Sequence, residues 1–245
     1  MIIYNIKKEL DDFFTAVFYA YNKKDSLICS DSNIQLNLNN EIIDIKSEKD
    51  KADRVINFIN KYDKSVIYDI KTLFRSDDKD IYQIIFNYIK QLVNEKQKIR
   101  EHLSNPYVIL FNEKLQKIRY EVHRFTGFIR FMENEAGVFY AHYNPDSNIT
   151  ELLMPHFVSR YKKMPFVIHD TTRNILGLYN GEISKVVKAD KPLTVYLSEN
   201  ENNYIDLWKK YYDTVNIEER KNTKLMKNFM PVRYWKNLPE KQDKM

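Results

Sequence analysis

Apolar positions in the first hundred residues recur mostly at helical spacing. "IIYNI" opens the chain as a short β-rich run, and Leu10, Phe13, Phe14, Val17, Ala20 and Tyr21 then mark one helix face. Ser47 followed by Asp50 is a helix start, with Ala52, Val55, Ile56, Ile59 and Tyr62 as the stripe behind it. Val66, Ile67, Ile70, Leu73 and Phe74 form a shorter stripe. "SDDKD" then introduces a longer one through Ile81, Ile84, Ile85, Tyr88, Ile89, Leu92 and Val93. The pattern predicts a mostly helical region over residues 1–105.

Pro106 after Ser104-Asn105 starts the next helix. Val108, Phe111, Leu115, Ile118, Val122 and Phe125 step without a break, which predicts one helix over residues 106–125. Gly127 stands where a left-handed C-terminal cap favours glycine. Beyond it "FIRFMENEAGVFYAHYN" reads as two β-rich runs around a turn, and "NPDSN" as another turn. "PHFVSRYKKM" reads as a helix begun by Pro155, and "PFVIHD" as a strand. "ILGLYNGEISKVV" reads as a hairpin with Asn180-Gly181 in a two-residue type I′ turn. "LTVYL" is a further strand, and Trp208 and Phe229 lie on C-terminal helical stripes that Pro231 ends. The expected fold is α+β: a helical N-terminal part, the long helix, a mainly antiparallel sheet with a crossing helix, and C-terminal helices. Residues 1–105 and a basic α+β region, 106–245, are expected to pack as one compact unit.

Composition narrows the class. Of 245 residues, 43% are apolar and 30% charged, which suits a folded, water-soluble chain rather than a disordered one. Lys7 and Glu9 come too early for a signal peptide, and no apolar run reaches the length of a membrane span. Cys29 is the single cysteine, so no disulfide or cysteine-based zinc site forms within the chain, and a reducing cytoplasm is the expected location. The net charge of +5 is uneven: residues 1–106 carry 17 basic and 17 acidic side chains, residues 107–245 carry 22 and 17. Such an excess permits nucleic-acid binding, and it also serves solubility.

Candidate chemistry centres on "YEVHRFTGFIRF", residues 120–131. Placed at a helix end, His123 and Arg124 face the negative pole of the helix dipole, and Glu121 can pair with Arg124 at i, i+3, so this segment needs no ligand. His156 and Arg160 share one face at i, i+4. With His156 in the first turn of its helix, the two would bind an anion. "IHDTTR" adds His169, Asp170 and Arg173 at a strand-to-turn junction, where Asp170 can equally serve the turn itself. The expected pocket holds phosphate through His156, Arg160 and Arg173 without a metal, since no local metal motif is present. In "NFMPVRYWKNLPE", Arg233 and Trp235 suit phosphate pairing and base stacking, or else a docked tail anchored by Trp235. Four glycines leave no dinucleotide-binding or phosphate-binding loop, and no cofactor is expected.

"YEVHRFTGFIRF", "PHFVSRYKKMPFVIHDTTR" and "LWKKYYDTVNIEERKNTKLMKNFMPVRYWKNLPE" resemble the motif blocks of an uncharacterised bacterial family of DNA-metabolism proteins. "IIYNIKKELDDFFTAVFYAYNKKD" also fits the opening strand and helix of that family, but lacks the acidic-glycine turn expected after the strand. The resemblance implies a setting more than a reaction: a partner enzyme of radical-SAM DNA-repair type, or a fused domain similar to uracil-DNA glycosylase. The matching residues are His123, Arg124, Gly127 and Arg130, then His156, Arg160, His169, Asp170 and Arg173. Three readings follow. In the first, the protein binds DNA through a His/Arg cluster (Arg124, Arg130, His156, Arg160, Arg173, Arg233 and Trp235) and serves a separately encoded enzyme. In the second, it is a hydrolase or nuclease using His123, His156, His169 and Asp170. In the third, it is a non-catalytic scaffold for that partner.

Overall fold

The structure, a computed structural model, describes residues 1–30, 40–191, 193 and 195–242. The chain divides into two compact units, Met1–Arg119 and Tyr120–Met245.

In the first unit, β1 (Ile2–Asn5) is followed by α1 (Leu10–Ala20), β2 (Ser26–Cys29) and β3 (Glu41–Asp44). The sheet order is β2-β1-β3, and both pairings are parallel. The two outer strands are unanticipated by the apolar pattern. Each is four residues long and pairs with a distant segment, so neither shows enough alternation to be read alone. Helices α2 (Lys49–Tyr62), α3 (Ser65–Leu73) and α4 (Ile81–Glu95) follow the expected stripes. Ile59, Ile70, Ile85 and Ile89 are almost wholly buried. Tyr88 of α4 stacks on Phe111 with ring centroids 3.9 Å apart.

Helix α5 runs from Pro106 to Phe128. Its stripe is the expected one: Val108, Phe111, Leu115, Ile118 and Phe125 are buried. The expected cap is corrected, because the helix continues through Gly127 and ends after Phe128. Positive φ among the glycines occurs at Gly137 and Gly181 instead. A glycine ends a helix only where the next residues cannot keep bonding, and here the Ile129 amide still reaches the Phe125 carbonyl at 3.2 Å.

The second unit is built on a five-stranded sheet, β4-β5-β6-β7-β8. The strands are β4 (Met132–Glu133), β5 (Phe139–Tyr143), β6 (Phe166–Asp170), β7 (Ile175–Tyr179) and β8 (Ser184–Lys188). All neighbours pair antiparallel except β5 and β6, which run parallel. A parallel pair needs a crossover, supplied by α6 (Thr150–Tyr161). This makes the chain α+β, with the crossing helix as expected. The start of that helix is corrected: it begins at Thr150 and Pro155 lies inside it. The Thr150 hydroxyl, fully buried, bonds Tyr143 Oη at 2.7 Å and fixes the true first turn.

Side chains alternate across β6. Phe166 meets Phe157 of α6 at 6.3 Å between ring centroids. Ile168 and Met154 both crowd Gly177, where an added Cβ would lie 2.7 and 2.5 Å from them, so β7 must be bare at that point. Residues 166, 168 and 170 therefore face α6, while His169 faces the other side. The β7–β8 loop is also corrected. Tyr179 pairs with Ser184, leaving four loop residues rather than two, and the Asn180 side chain accepts the amides of Glu182 and Ile183. In the expected strand at 193–197, Thr194 lies outside the described residues, and Leu197 makes an isolated bridge to Asn134. The chain closes with α7 (Glu201–Val215), a 3-10 turn at Glu218–Arg220, α8 (Thr223–Phe229), a second 3-10 stretch at Val232–Asn237 and α9 (Pro239–Gln242).

Candidate functional site

His169 stands on the sheet face away from α6, 7% exposed, between two partners. Its Nδ1 lies 2.9 Å from Tyr140 Oη and its Nε2 lies 3.0 Å from Asn174 Oδ1. Asn174 Nδ2 donates to the Ala189 carbonyl at 2.7 Å, so its Oδ1 is the atom presented to His169. His169 Nε2 must then carry the hydrogen that Asn174 accepts, and Nδ1 bonds the Tyr140 hydroxyl. Burial raises the Tyr140 pKa and keeps that phenol protonated. Both ring nitrogens are engaged by protein. Asn174 has φ +54°, a left-handed conformation that asparagine tolerates. His142 neighbours His169 in the parallel register of β5 and β6. Burial first, then His169 and Lys236, hold its pKa below the ordinary histidine value.

Asp170 faces the other way and is fully buried. Its Oδ1 accepts the amides of Thr172 (2.9 Å) and Arg173 (3.2 Å), and its Oδ2 pairs with Arg173 Nη1 at 3.0 Å. The same guanidinium donates to the carbonyls of Pro145 (3.2 Å) and Asp146 (2.5 Å). Asp170 thus serves its own turn, and Arg173 ties that turn to the β5–α6 loop.

Glu121 is a buried acid, and its expected pairing is corrected. It does not pair with Arg124. At 4% exposed, it turns inward and accepts the amides of Asp146 (2.6 Å) and Ser147 (3.1 Å). Arg233 contacts the Asp146 carboxylate, approaches Glu121 Oε1 at 3.9 Å and donates to Tyr234 Oη at 2.8 Å. Tyr234, 1% exposed, packs its ring 4.7 Å from Phe125. Tyr234 is the deep anchor of the C-terminal stretch. Trp235 is half-buried and donates to the Met230 carbonyl at 3.0 Å. Glu240, 7% exposed, accepts from Trp208 Nε1 at 2.9 Å and pairs with Arg130 at 3.4 Å.

Four candidates remain turned to solvent or its edge. His123, His156 and Arg160 are exposed and Arg124 is half-buried. His156 and Arg160 keep their shared face, but Pro155 inside α6 moves His156 out of the first turn, so the helix N-terminus contributes nothing to an anion there. Among the described residues no contact joins His156 or Arg160 to Arg173, or His123 to His169 and Asp170. No group of three or more His, Cys, Asp or Glu among the described residues could hold a metal ion. No helix among them is long and apolar enough to cross a membrane.

The basic excess itself is tightly placed. Residues 220–241 contain seven Lys or Arg and one acid, Glu240. Six of those cations are exposed, Lys241 being the buried one. Helix α7 leaves Tyr204, Trp208 and Tyr211 at 60%, 38% and 56% exposure. Their i, i+4, i+7 spacing puts them on one helix face.

Residues 79–240 match the family described as a domain of unknown function, DUF4130. The chain belongs to that family, and the match includes every candidate discussed above. No curated protein matches the chain.

Proposed function

We propose that this protein binds nucleic acid without catalysing a reaction on it, and that it serves a separately encoded enzyme of DNA repair or modification. The carrying observation is the strip at residues 220–241, seven cations against one acid. That acid is withdrawn from the surface by Arg130 and Trp208. Arg233 is committed to Asp146, and the other exposed lysines and arginines, with no carboxylate between them along the chain, suit a phosphate backbone, while exposed Tyr204 and Tyr211 rings suit stacking of unpaired bases. A radical-SAM enzyme or a domain similar to uracil-DNA glycosylase is the partner implied by the sequence resemblance. The catalytic alternative loses support from the bonding of His169 and Asp170, which leaves neither group free to act as a base.

The test is oligonucleotide binding by fluorescence anisotropy over a salt series. Replacing Arg220, Lys224 and Lys227 by Ala should weaken binding and reduce the salt slope by about one unit per lost phosphate contact. Unchanged affinity and slope in the triple variant would overturn the proposal.

A second reading draws on Leu207, Leu225 and Phe229, exposed by 64%, 51% and 71%. Large apolar side chains left in water mark protein contacts. Co-purification of a partner enzyme that is lost on Leu225→Ser and Phe229→Ser, with DNA binding intact, would assign this face to the partner.

A further inference from the structure

The first unit holds a cleft of about 740 Å³ that the nucleic-acid reading does not use. Three segments wall it: the end of α2, the start of α3 and the connection between α4 and α5. Its charged lining is Lys61, Lys64, Lys98 and Arg100 against Asp63 and Glu101, with His102 at the rim. The two acids offset only half of the four cations. Asp63 is 7% exposed and is spent on α3, accepting the Ser65 amide at 2.9 Å and the Ser65 hydroxyl at 2.6 Å. The first turn of α3 is therefore already served, and the side chains, not the helix end, make the site.

Behind the lining, Arg100 shares one buried carboxylate with Arg119, which is outside the cleft. Asp69, 1% exposed, contacts Arg100 and pairs with Arg119 Nη2 at 2.7 Å. Arg100 also reaches Ser65 Oγ at 3.3 Å, yet its buried Nε has no acceptor. Such an unfilled donor in a native fold calls for an explanation. Lys61, Lys64 and Lys98 are exposed and form no ion pair among the described residues. Tyr62, half-buried against Phe58 with ring centroids 5.0 Å apart, gives the cleft one flat apolar wall.

We infer that this cleft binds a phosphomonoester. Four cations against two acids, of which Asp63 is already committed to the protein, leave a net positive lining that favours a dianion over a single carboxylate, and a phosphomonoester is mostly dianionic above about pH 6. The volume falls in the range of small-molecule sites, roughly 300–1,000 Å³, and exceeds what inorganic phosphate alone would fill. The Tyr62 ring suits the organic part. The phosphomonoester can be a free nucleotide or the 5′-phosphate end of a strand, since both offer the same group. Lys64 precedes α3 and Lys98 lies in the α4–α5 connection, so they come from two separate segments of the lining and are the residues to remove.

The experiment uses the full chain. Calorimetry would measure adenosine 5′-monophosphate, with inorganic phosphate for comparison. Anisotropy would compare two oligonucleotides of one sequence, one 5′-phosphorylated and one ending in hydroxyl. A preference for the nucleotide, or for the phosphorylated over the hydroxyl strand, should fall about tenfold or more in Lys64→Ala/Lys98→Ala. Nucleotide binding names a free metabolite as the source, and a 5′-phosphate preference without it names a strand end. Absence of both in the wild-type protein, or their survival in a folded double variant, overturns the inference. Oligonucleotide binding that is indifferent to the 5′ group leaves the strip at 220–241 standing while the cleft fails.

Discussion

His169 and Asn174 meet across the β6–β7 turn, Nε2 donating to Oδ1 at 3.0 Å. The bond runs on from Asn174 to the Ala189 carbonyl and back from His169 to Tyr140. It joins β5, β6, the turn and the strand-end at Ala189, so the histidine works as a brace.

His169→Ala should therefore lower stability by about 1–3 kcal/mol, the usual cost of stranding buried partners. Oligonucleotide affinity should not move. Urea denaturation and anisotropy on the same sample check both halves. A folded variant with normal stability and lost binding would place His169 in the interface instead.

The sequence groups Arg173 and Arg160 as phosphate ligands; Arg173 pairs with Asp170, and Arg160 is exposed. Asp170 is fully buried and depends on Arg173. Arg173→Ala should cost about 3–5 kcal/mol through the stranded carboxylate. Arg160→Ala, on an exposed face, should leave the denaturation midpoint unchanged. Equal midpoints for the two variants would contradict this division.

Glu121 holds the β5–α6 loop by two amides. In Glu121→Ala the amides of Asp146 and Ser147 should exchange hydrogen faster, and stability should fall by about 2 kcal/mol or more. Glu121→Gln keeps one acceptor oxygen and should fall between that variant and wild type. Hydrogen exchange read by NMR at those two amides is the direct measurement.

His142 gives the second unit a pH response. Its pKa lies below the ordinary 6.5, through burial first and then through His169 and Lys236. Between the folded and unfolded values the unfolded chain holds the extra proton. Stability from this group is full above about pH 6.5 and falls as the pH drops towards the folded value. His142→Gln should flatten that loss, which denaturation midpoints at pH 7.5 and pH 5 would show.

What the sequence disclosed follows from how far each signal reaches. The α5 stripe was legible because one helix face lies within a single run of chain, and its residues are buried as spaced. Gly127 was misread because a glycine inside an open helix face and a capping glycine look alike. Nothing lies within 4 Å of where its Cβ would be. Strands β2 and β3 were missed because their partner is β1, more than twenty residues away in each case. The candidate residues at 169–173 were found, but their bonding was not. The role of His169 depends on Tyr140 across a parallel register and on which atom Asn174 presents, and local spacing carries neither. Glu121 was read as a surface partner for Arg124 because it sits next to the stripe rather than on it.

Helix α5 has one more consequence. The two compact units meet in sequence between Arg119 and Tyr120, yet the helix runs unbroken from Pro106 to Phe128. A protease needs an extended stretch to enter its cleft, so the seam between the units is closed to limited digestion while α5 holds. Splitting the gene there would leave Tyr120–Phe128 as a helix tail shorter than the roughly 12–15 residues that persist alone in water. Glu121 and Phe125 stand on that tail, and without it the loop at Asp146 and the ring of Tyr234 lose their support.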